Sequence, residues 1–430
     1  MSADLVAVFN GREAGRIARD GRGRLTFVYA DEWRQARGAY PLSLSMPLAA
    51  AEHGHKPVEA FLWGLLPDSA NVLDRWARQF QVSARNAFAL MSHVGEDCAG
   101  AVQFVRPERL GDIAGQGPSE VDWLDEKEVA QRLRALRADH AAWRMAHDTG
   151  QFSLAGAQPK TALLYENGRW GVPSGRTPTT HILKPPTGEF DGHAENEHVC
   201  MQLASALGLA TAKSQVVTFE DQVAIVIERY DRQRTDAGLV RVHQEDMCQA
   251  LAILPTIKYE NEGGPGARAI VDLLRTFSDR AEQDVQRFVD ALVFNWLIGG
   301  TDGHAKNYAM LIGAEGRARL APLYDIASIL PYGFDAQKIR SAMKIGGAYR
   351  IRDIGPRQWR KLATELRFDA NRLLTRISDL ARALPDALAD VCRSTQAEGI
   401  GHPLIERLAG GIRERARRCA TSFQEEISQT

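Results

Sequence analysis

The sequence predicts a mixed α+β protein in which a strand-rich segment precedes a long helical region, with a small extra unit in front of both. Three observations carry that expectation. At 430 residues the chain exceeds what one ordinary core accommodates, so two or three structural units follow. Asn167-Gly168 stands between two alternating apolar runs in "TALLYENGRWGVP", a strong hairpin signal, and further strand-like runs surround it. After Asp231, apolar residues recur instead at helical spacing, as in "ARAIVDLLRTF" and "AEQDVQRFVDALVFNWLI".

Taken in order, residues 1–105 form an accessory subdomain of short apolar runs and turns. Within it "LVAVFNGREAGRI" reads strand, turn, strand, and "VEAFLWGLLPDSANVLDRWARQF" reads as two helices broken at Pro67. Residues 106–149 open with "RPERLGDIAGQGPSEVDW", which is rich in Gly, Pro and charge, has no period, and reads as a connecting segment. Residues 150–231 begin with a small-residue loop, "FSLAGAQPK", followed by the Asn-Gly hairpin. A strand, "THILKPP", then carries Lys184 just before two prolines. The helix "ENEHVCMQLASALGLA" ends at Gly208, and the strands "KSQVVTF" and "VAIVIERYD" surround a turn at 220–222. Residues 232–430 read as helices, beginning with "EDMCQALAIL", interrupted by the loop "GGTDGHAKN" and the hairpin "YAMLIGAEGRARLAPLYD".

Composition narrows the class. With 44% hydrophobic and 25% charged residues, the chain has the make-up of an ordinary globular protein. A formal net charge of −1 supplies no global field for nucleic acid or membrane, so any such site has to be a local patch. The start, "MSADLVAVFNGREAG", lacks a basic region followed by an apolar core, and "FVDALVFNWLIGG" is too short to span a bilayer, so a cytoplasmic protein with no membrane partner is expected. Five scattered cysteines without a C-x-x-C pair suit reduced structural thiols, and His53 and His55 lack the neighbours of a zinc site.

The loop "LIGGTDGHAKNYAMLI" places a carboxylate, Asp302, five residues before a carboxamide, Asn307. Alone, that is the material of an Asx-rich turn. Its company changes the reading. A loop of small residues lets backbone N–H groups approach phosphate oxygens. A lysine neutralises the α- and β-phosphates of a nucleotide, an aspartate accepts the proton of an attacking hydroxyl, and an Asn with a second Asp holds Mg²⁺. Protein kinases separate the catalytic Asp and Asn by this same interval. Asp325, at the end of the last hairpin, supplies the second acid; Mg²⁺ needs few protein ligands beside phosphates. Each part has an ordinary explanation: Lys184 as a strand-end lysine, Asp325 as a helix cap. Their order points to phosphoryl transfer.

The chain also resembles the HipA toxins of bacterial toxin–antitoxin systems, which are serine/threonine kinases. The resemblance runs over essentially the whole chain. It is carried by "FSLAGAQPKTALL", "TPTTHILKPP", "IERYDR", "HQEDMCQAL", "KYENEGGPG", "FNWLIGGTDGHAKNYAMLI" and "LAPLYDIAS", with "FLWGLLPDS" in the N-terminal part. It implies a bilobed protein-kinase-like fold with an added N-terminal subdomain, dependence on ATP and Mg²⁺, and an aminoacyl-tRNA synthetase as the protein substrate. It also implies growth arrest or persistence as the outcome, and a HipB-type helix-turn-helix antitoxin that binds kinase and operator DNA. By that resemblance Asp302 is the proton acceptor, Asn307 and Asp325 are the metal ligands, and Lys184 is the ATP-phosphate lysine. Ala155, Gly156, Ala157, Gln158, Pro159 and Lys160 form the phosphate loop, and Glu228, Arg229 and Tyr230 the strand edge at adenine. His304, Ala305, Lys306 and Tyr324 line the nucleotide site, and Ser153 is the serine the family phosphorylates on itself. Glu197 is a candidate partner for the lysine.

Two features depart from ordinary kinases: Gly300-Thr301 precedes Asp302 where His-Arg would stand, and Asp-Ile-Ala replaces Asp-Phe-Gly. The alternatives are a small-molecule kinase or a DNA-bound corepressor module. For the latter, residues 338–361 hold eight basic residues against Asp353, among them Arg357, Arg360 and Lys361 as candidate DNA contacts. A solvated face is the plainer reading of that run.

Overall fold

A computed structural model describes residues 4–114, 120–145, 148, 151–188, 190–236, 238–335 and 337–428. Two compact units emerge, each built from separated stretches of chain: 1–185 with 217–256 and 309–321, and 186–216 with 257–308 and 322–430.

The first unit contains two main sheets. Its N-terminal sheet has five strands in the spatial order Glu52–His53, Leu25–Tyr29, Arg12–Arg19, Leu5–Phe9 and Val102–Val105. Asn10 and Gly11 close the first hairpin with φ of 46° and 84°, as an Asn-Gly turn of this kind requires. Leu5–Phe9 shows no polar alternation because it is central and covered on both faces. Leu5, Ala7 and Phe9 enter the main core, while Val6 and Val8 meet Val105 and Ile113 on the other side.

The second sheet has six strands, in the order Ser214–Phe219, Gln222–Glu228, His181–Lys184, Thr161–Glu166, Arg169–Pro173 and Val121–Leu124. Asn167 and Gly168 make the expected turn, with φ of 51° and 77°. One hydrophobic core runs from Leu5, Phe27 and Phe61 through Leu133 and Trp143 to Leu163, Leu183 and Val226. Residues 1–105 therefore share their core with residues 150–231.

The stretch 106–149 differs from the connecting segment expected. Val121–Leu124 pairs with Arg169–Pro173 as an edge strand. Glu126–Ala138 is a helix whose start is fixed by a reciprocal capping box: Asp125 accepts from the Glu128 N–H, and Glu128 accepts from the Asp125 N–H. Val129, Ala130, Leu133 and Leu136 bury its apolar face in the shared core. Residues 115–119, 146–147 and 149 of that stretch lie outside the described residues. A second difference concerns "EDMCQALAIL". His243–Asp246 is a strand paired with Ala309–Ile312, and the helix is only Met247–Ala250. Asp246 serves as its N-cap, and Ala252 at φ 53° stops it before Pro255.

The second unit is mainly helical: His193–Ala206, Ala267–Phe277, Ala281–Ile298, Pro356–Glu365, Ala370–Ala397 and Pro403–Ser428. Trp296 anchors it, packed edge-on 5.6 Å from Trp359 and tilted 5.7 Å from Phe423, with the Arg415 guanidinium 5.0 Å over its ring. Among the described residues no helix is long and apolar enough to cross a membrane.

Candidate active site

The residues singled out from sequence divide between the two units. In the second, the helix Ala281–Ile298 ends in a Schellman motif. Gly299 is left-handed at φ 70°, the Gly299 N–H reaches Trp296 O, and the Gly300 N–H reaches Asn295 O at 2.7 Å. A side chain at Gly300 would bring a Cβ to 2.5 Å from Asn295 Oδ1, so the glycine pair permits both the stop and the close packing behind it.

The loop that follows folds around one carbonyl. Asp302 O accepts the His304 N–H at 2.8 Å and Asn307 Nδ2 at 2.6 Å. Only the nitrogen end of a carboxamide can donate there, which fixes the amide's orientation and leaves its oxygen as the atom suited to a cation. The five-residue interval is thus a ring closed through a short 3-10 turn, Ala305–Asn307. Burial separates the roles: the Asp302 side chain is 60% exposed, whereas His304, Lys306 and Asn307 are buried. Tyr259 donates a hydrogen bond to Asp302 Oδ1; its ring packs edge-on 4.8 Å from His304, whose Nε2 lies 3.8 Å from the same carboxylate oxygen.

Tyr324 Oη donates to Lys306 O at 2.7 Å, tying the loop to the segment that carries Asp325. Asp325 is half-buried in a left-handed conformation at φ 58°, an unfavourable state for a non-glycine residue. It does not cap a helix; the next helical turn is Leu330–Tyr332. The conformation is enforced from both sides. Leu323 exchanges backbone hydrogen bonds with Ala210 and Ala212, each at 2.8 Å. Ser328 is clamped by Asn196, whose Nδ2 donates to Ser328 O and whose Oδ1 accepts the Ser328 N–H. Glu197 is fully buried in this unit, with His193 Nδ1 4.0 Å away.

In the first unit, Gly156 has φ of 101°, and a Cβ there would meet Lys160 Nζ at 2.6 Å. Lys160 Nζ donates to Ala155 O at 2.7 Å and lies 5.2 Å over the Trp143 ring. The loop 155–160 is thereby closed by its own lysine, and Asp68 N–H holds Gly156 O at 3.0 Å. Ser153 is fully buried: its Oγ donates to Leu65 O at 2.8 Å and its N–H to Asp97 O at 2.9 Å. Lys184 ends its strand opposite Ile225 and is 5% exposed.

Glu228 is exposed, and Tyr230 donates to Gln244 Oε1. Arg229 behaves otherwise. Its guanidinium is buried, donating to Asp231, Thr179 Oγ1 and Cys98 O, with Asp97 3.4 Å away, and its N–H donates to Thr180 O at 2.9 Å. Asp97 also accepts from Arg232 at 2.9 Å and Arg241 at 3.2 Å, and from Thr179 Oγ1 at 2.6 Å. Burial alone would raise the Asp97 carboxyl, but the three guanidiniums outweigh it and hold it well below the usual carboxylate range. Burial and the neighbouring Arg229 push Arg232 down to about 10.

Of the basic stretch 338–361, Arg360 is held by Glu426 and Asn371, and Lys361 lies 3.9 Å from Glu365. Lys338, Lys344 and Arg352 also face carboxylates, while Arg357 is exposed. Sequence reasoning gave no role to Tyr259, Asn196 or Asp97. Only Tyr259 left a signal, by standing in the idiosyncratic "KYENEGGPG".

Comparison with known proteins identifies the family of the chain. The model of the HipA N-terminal domain matches residues 5–105, and that of the HipA-like C-terminal domain matches residues 152–388. The chain is 35% identical over 415 residues to Y4mE of Sinorhizobium fredii, covering 95% of this chain and 96% of the relative. It is 30% identical over 380 residues to the serine/threonine-protein kinase toxin HipA of Shewanella oneidensis, covering 84% and 83%. Among solved structures, the Shewanella oneidensis complex of HipA, HipB and operator DNA matches with a TM-score of 0.84 at 25% identity, covering 99% of both chains.

Proposed function

The chain belongs to the HipA family of kinase toxins, and from that premise we propose that it transfers the γ-phosphate of ATP to a serine or threonine of a protein, in the manner of a growth-arresting toxin. An aminoacyl-tRNA synthetase is the substrate class this reading names. Asp302 takes the proton of the acceptor hydroxyl as its oxygen attacks phosphorus; its exposure, beside three buried neighbours, suits a base that must meet a large external substrate. Lys184 and the loop 155–160 neutralise and orient the phosphates, and the backbone of 228–230 meets adenine.

The observation that supports this reading is the bond from Asn307 Nδ2 to the Asp302 main-chain carbonyl, which joins the two residues read here as proton acceptor and metal ligand. Asn307 Oδ1 and the Asp325 carboxylate are hard oxygen donors and would hold Mg²⁺, whose charge would offset that developing on the phosphates. Among the described residues no group of three or more His, Cys, Asp or Glu is gathered for a metal. Two protein ligands with phosphate and water completing the shell is the habit of Mg²⁺.

The test separates metal ligand from phosphate contact. Asp325→Ala is expected to slow transfer and to recover partly as Mg²⁺ rises, because mass action restores occupancy. Lys184→Ala is expected to slow transfer without that recovery. Identical Mg²⁺ responses, read in a labelled-ATP assay, would contradict at least one role.

Self-modification at Ser153 forms part of the proposal. Its hydroxyl is buried on Leu65 O, where a phosphate bringing about −1.5 to −2 charges cannot be accommodated. Phosphorylation therefore requires the loop to leave and keeps it out, which unclamps the nucleotide. Mass spectrometry after incubation with ATP should find one phosphate on Ser153, in a fraction that binds ATP poorly. Fully modified protein with normal ATP affinity would refute the switch.

The partner in this reading is a HipB-type helix-turn-helix antitoxin, with operator DNA reached through that complex, as in the matched Shewanella assembly. Within the basic stretch Arg340, Arg350 and Arg357 are exposed, and in this reading such side chains add phosphate contacts.

A further inference from the structure

The contact between Tyr259 and Asp302 joins a proposed catalytic base to a residue with no role in the mechanism above. Tyr259 is rigidly mounted. Its carbonyl accepts the N–H groups of Glu262 at 3.0 Å and Gly264 at 2.9 Å. The next residue, Glu260, accepts the Lys344 N–H at 2.6 Å. Gly264 admits no side chain, since a Cβ would fall 2.0 Å from Ile257 O. From this fixed turn the Tyr259 ring projects against His304, and its hydroxyl donates to Asp302 Oδ1.

An acceptor serine or threonine must also present an O–H to the carboxylate that takes its proton. The phenol already makes that bond. We infer that Tyr259 is a positioning residue that fills the acceptor hydroxyl's place at Asp302 Oδ1 until a protein substrate displaces it, and so keeps water from that one oxygen of an otherwise exposed carboxylate. This rests on the reading of Asp302 as proton acceptor. In the reaction suppressed, a water oxygen bonds to the γ-phosphorus, the bond from that phosphorus to the β-bridging oxygen breaks, ADP leaves, and the water proton passes to Asp302. In the productive reaction a serine or threonine oxygen takes the place of water. A bound protein surface can meet the cost of moving the phenol; a single water cannot.

Tyr259→Phe keeps the ring against His304 and removes only the hydroxyl. With Mg²⁺ and ATP and no protein acceptor, steady-state phosphate release beyond one turnover per chain should rise roughly five- to tenfold, the worth of one lost hydrogen bond. With a protein acceptor, its KM should fall while kcat stays within about twofold. Hydrolysis that is unchanged or lower, or a parallel loss of hydrolysis and transfer, would overturn the inference, because a merely structural tyrosine lowers both together. Adding Asp302→Asn to the Phe variant should abolish the gain. If Asp302→Asn alone retains wild-type transfer, the base assignment has failed, a result distinguishable from a failure of Tyr259.

Discussion

An Asp302→Asn protein is expected to fold normally and bind ATP, yet to transfer phosphate about 10²–10⁴-fold more slowly, the usual worth of a positioned base. The expectation that folding survives has a specific basis. The loop is closed through the Asp302 main-chain carbonyl, which accepts from His304 and Asn307, and the substitution leaves that carbonyl in place. The side chain is 60% exposed, so no core packing depends on it, and an asparagine oxygen still accepts from Tyr259. What disappears is a group able to take up a proton. Circular dichroism and nucleotide binding check the first half of the expectation, and a labelled-ATP assay checks the second. Turnover at the wild-type rate would remove Asp302 from the mechanism.

Asp97→Asn should act on stability instead. The wild-type cluster sets Asp97 and Asp231 against Arg229, Arg232 and Arg241, all buried. Neutralising Asp97 leaves three guanidiniums with one carboxylate, and breaking a buried pair from one side costs about 3–5 kcal/mol. The sign of the pH dependence follows from the direction of the shift. Asp97 is held below its ordinary value, so its contribution is complete at neutral pH and is lost only as acid protonates the folded carboxyl. Denaturation near pH 7, followed by fluorescence of the buried Trp76 and Trp143, should show the full loss for Asp97→Asn, and the gap from wild type should narrow in strong acid. A midpoint unchanged at pH 7 would mean the arginines find other partners. If residues 228–230 meet adenine as proposed, weaker ATP binding should accompany the lost stability, because Arg229 belongs to both.

The strands and helices that could be read from sequence were those governed by local rules. Asn10-Gly11 and Asn167-Gly168 each set a hairpin because both residues tolerate positive φ. Ala281–Ile298 announced itself by apolar period and a glycine stop. That Asp302 and Asn307 belong to one loop was legible for the same reason: the bond joining them spans five residues. The failures have the opposite origin. Val121–Leu124 becomes a strand by pairing with Arg169–Pro173, almost fifty residues downstream, and its Gly- and Pro-rich approach hid it. The over-long helix at 245–254 lost to strand pairing between His243–Asp246 and Ala309–Ile312. Tyr259 reaches Asp302 across 43 positions, Asn196 reaches Ser328 across 132, and Asp97 reaches Arg232 across 135. No period or spacing encodes such partners.

The most direct measurement for the central claim is incubation of the purified chain with γ-labelled ATP, Mg²⁺ and a set of aminoacyl-tRNA synthetases, followed by phosphoamino-acid analysis of each protein band. Label in phosphoserine or phosphothreonine of a synthetase, abolished by Asp302→Asn, is the expected result. Label confined to a small molecule, or no protein label under conditions where the wild type binds ATP, would contradict it.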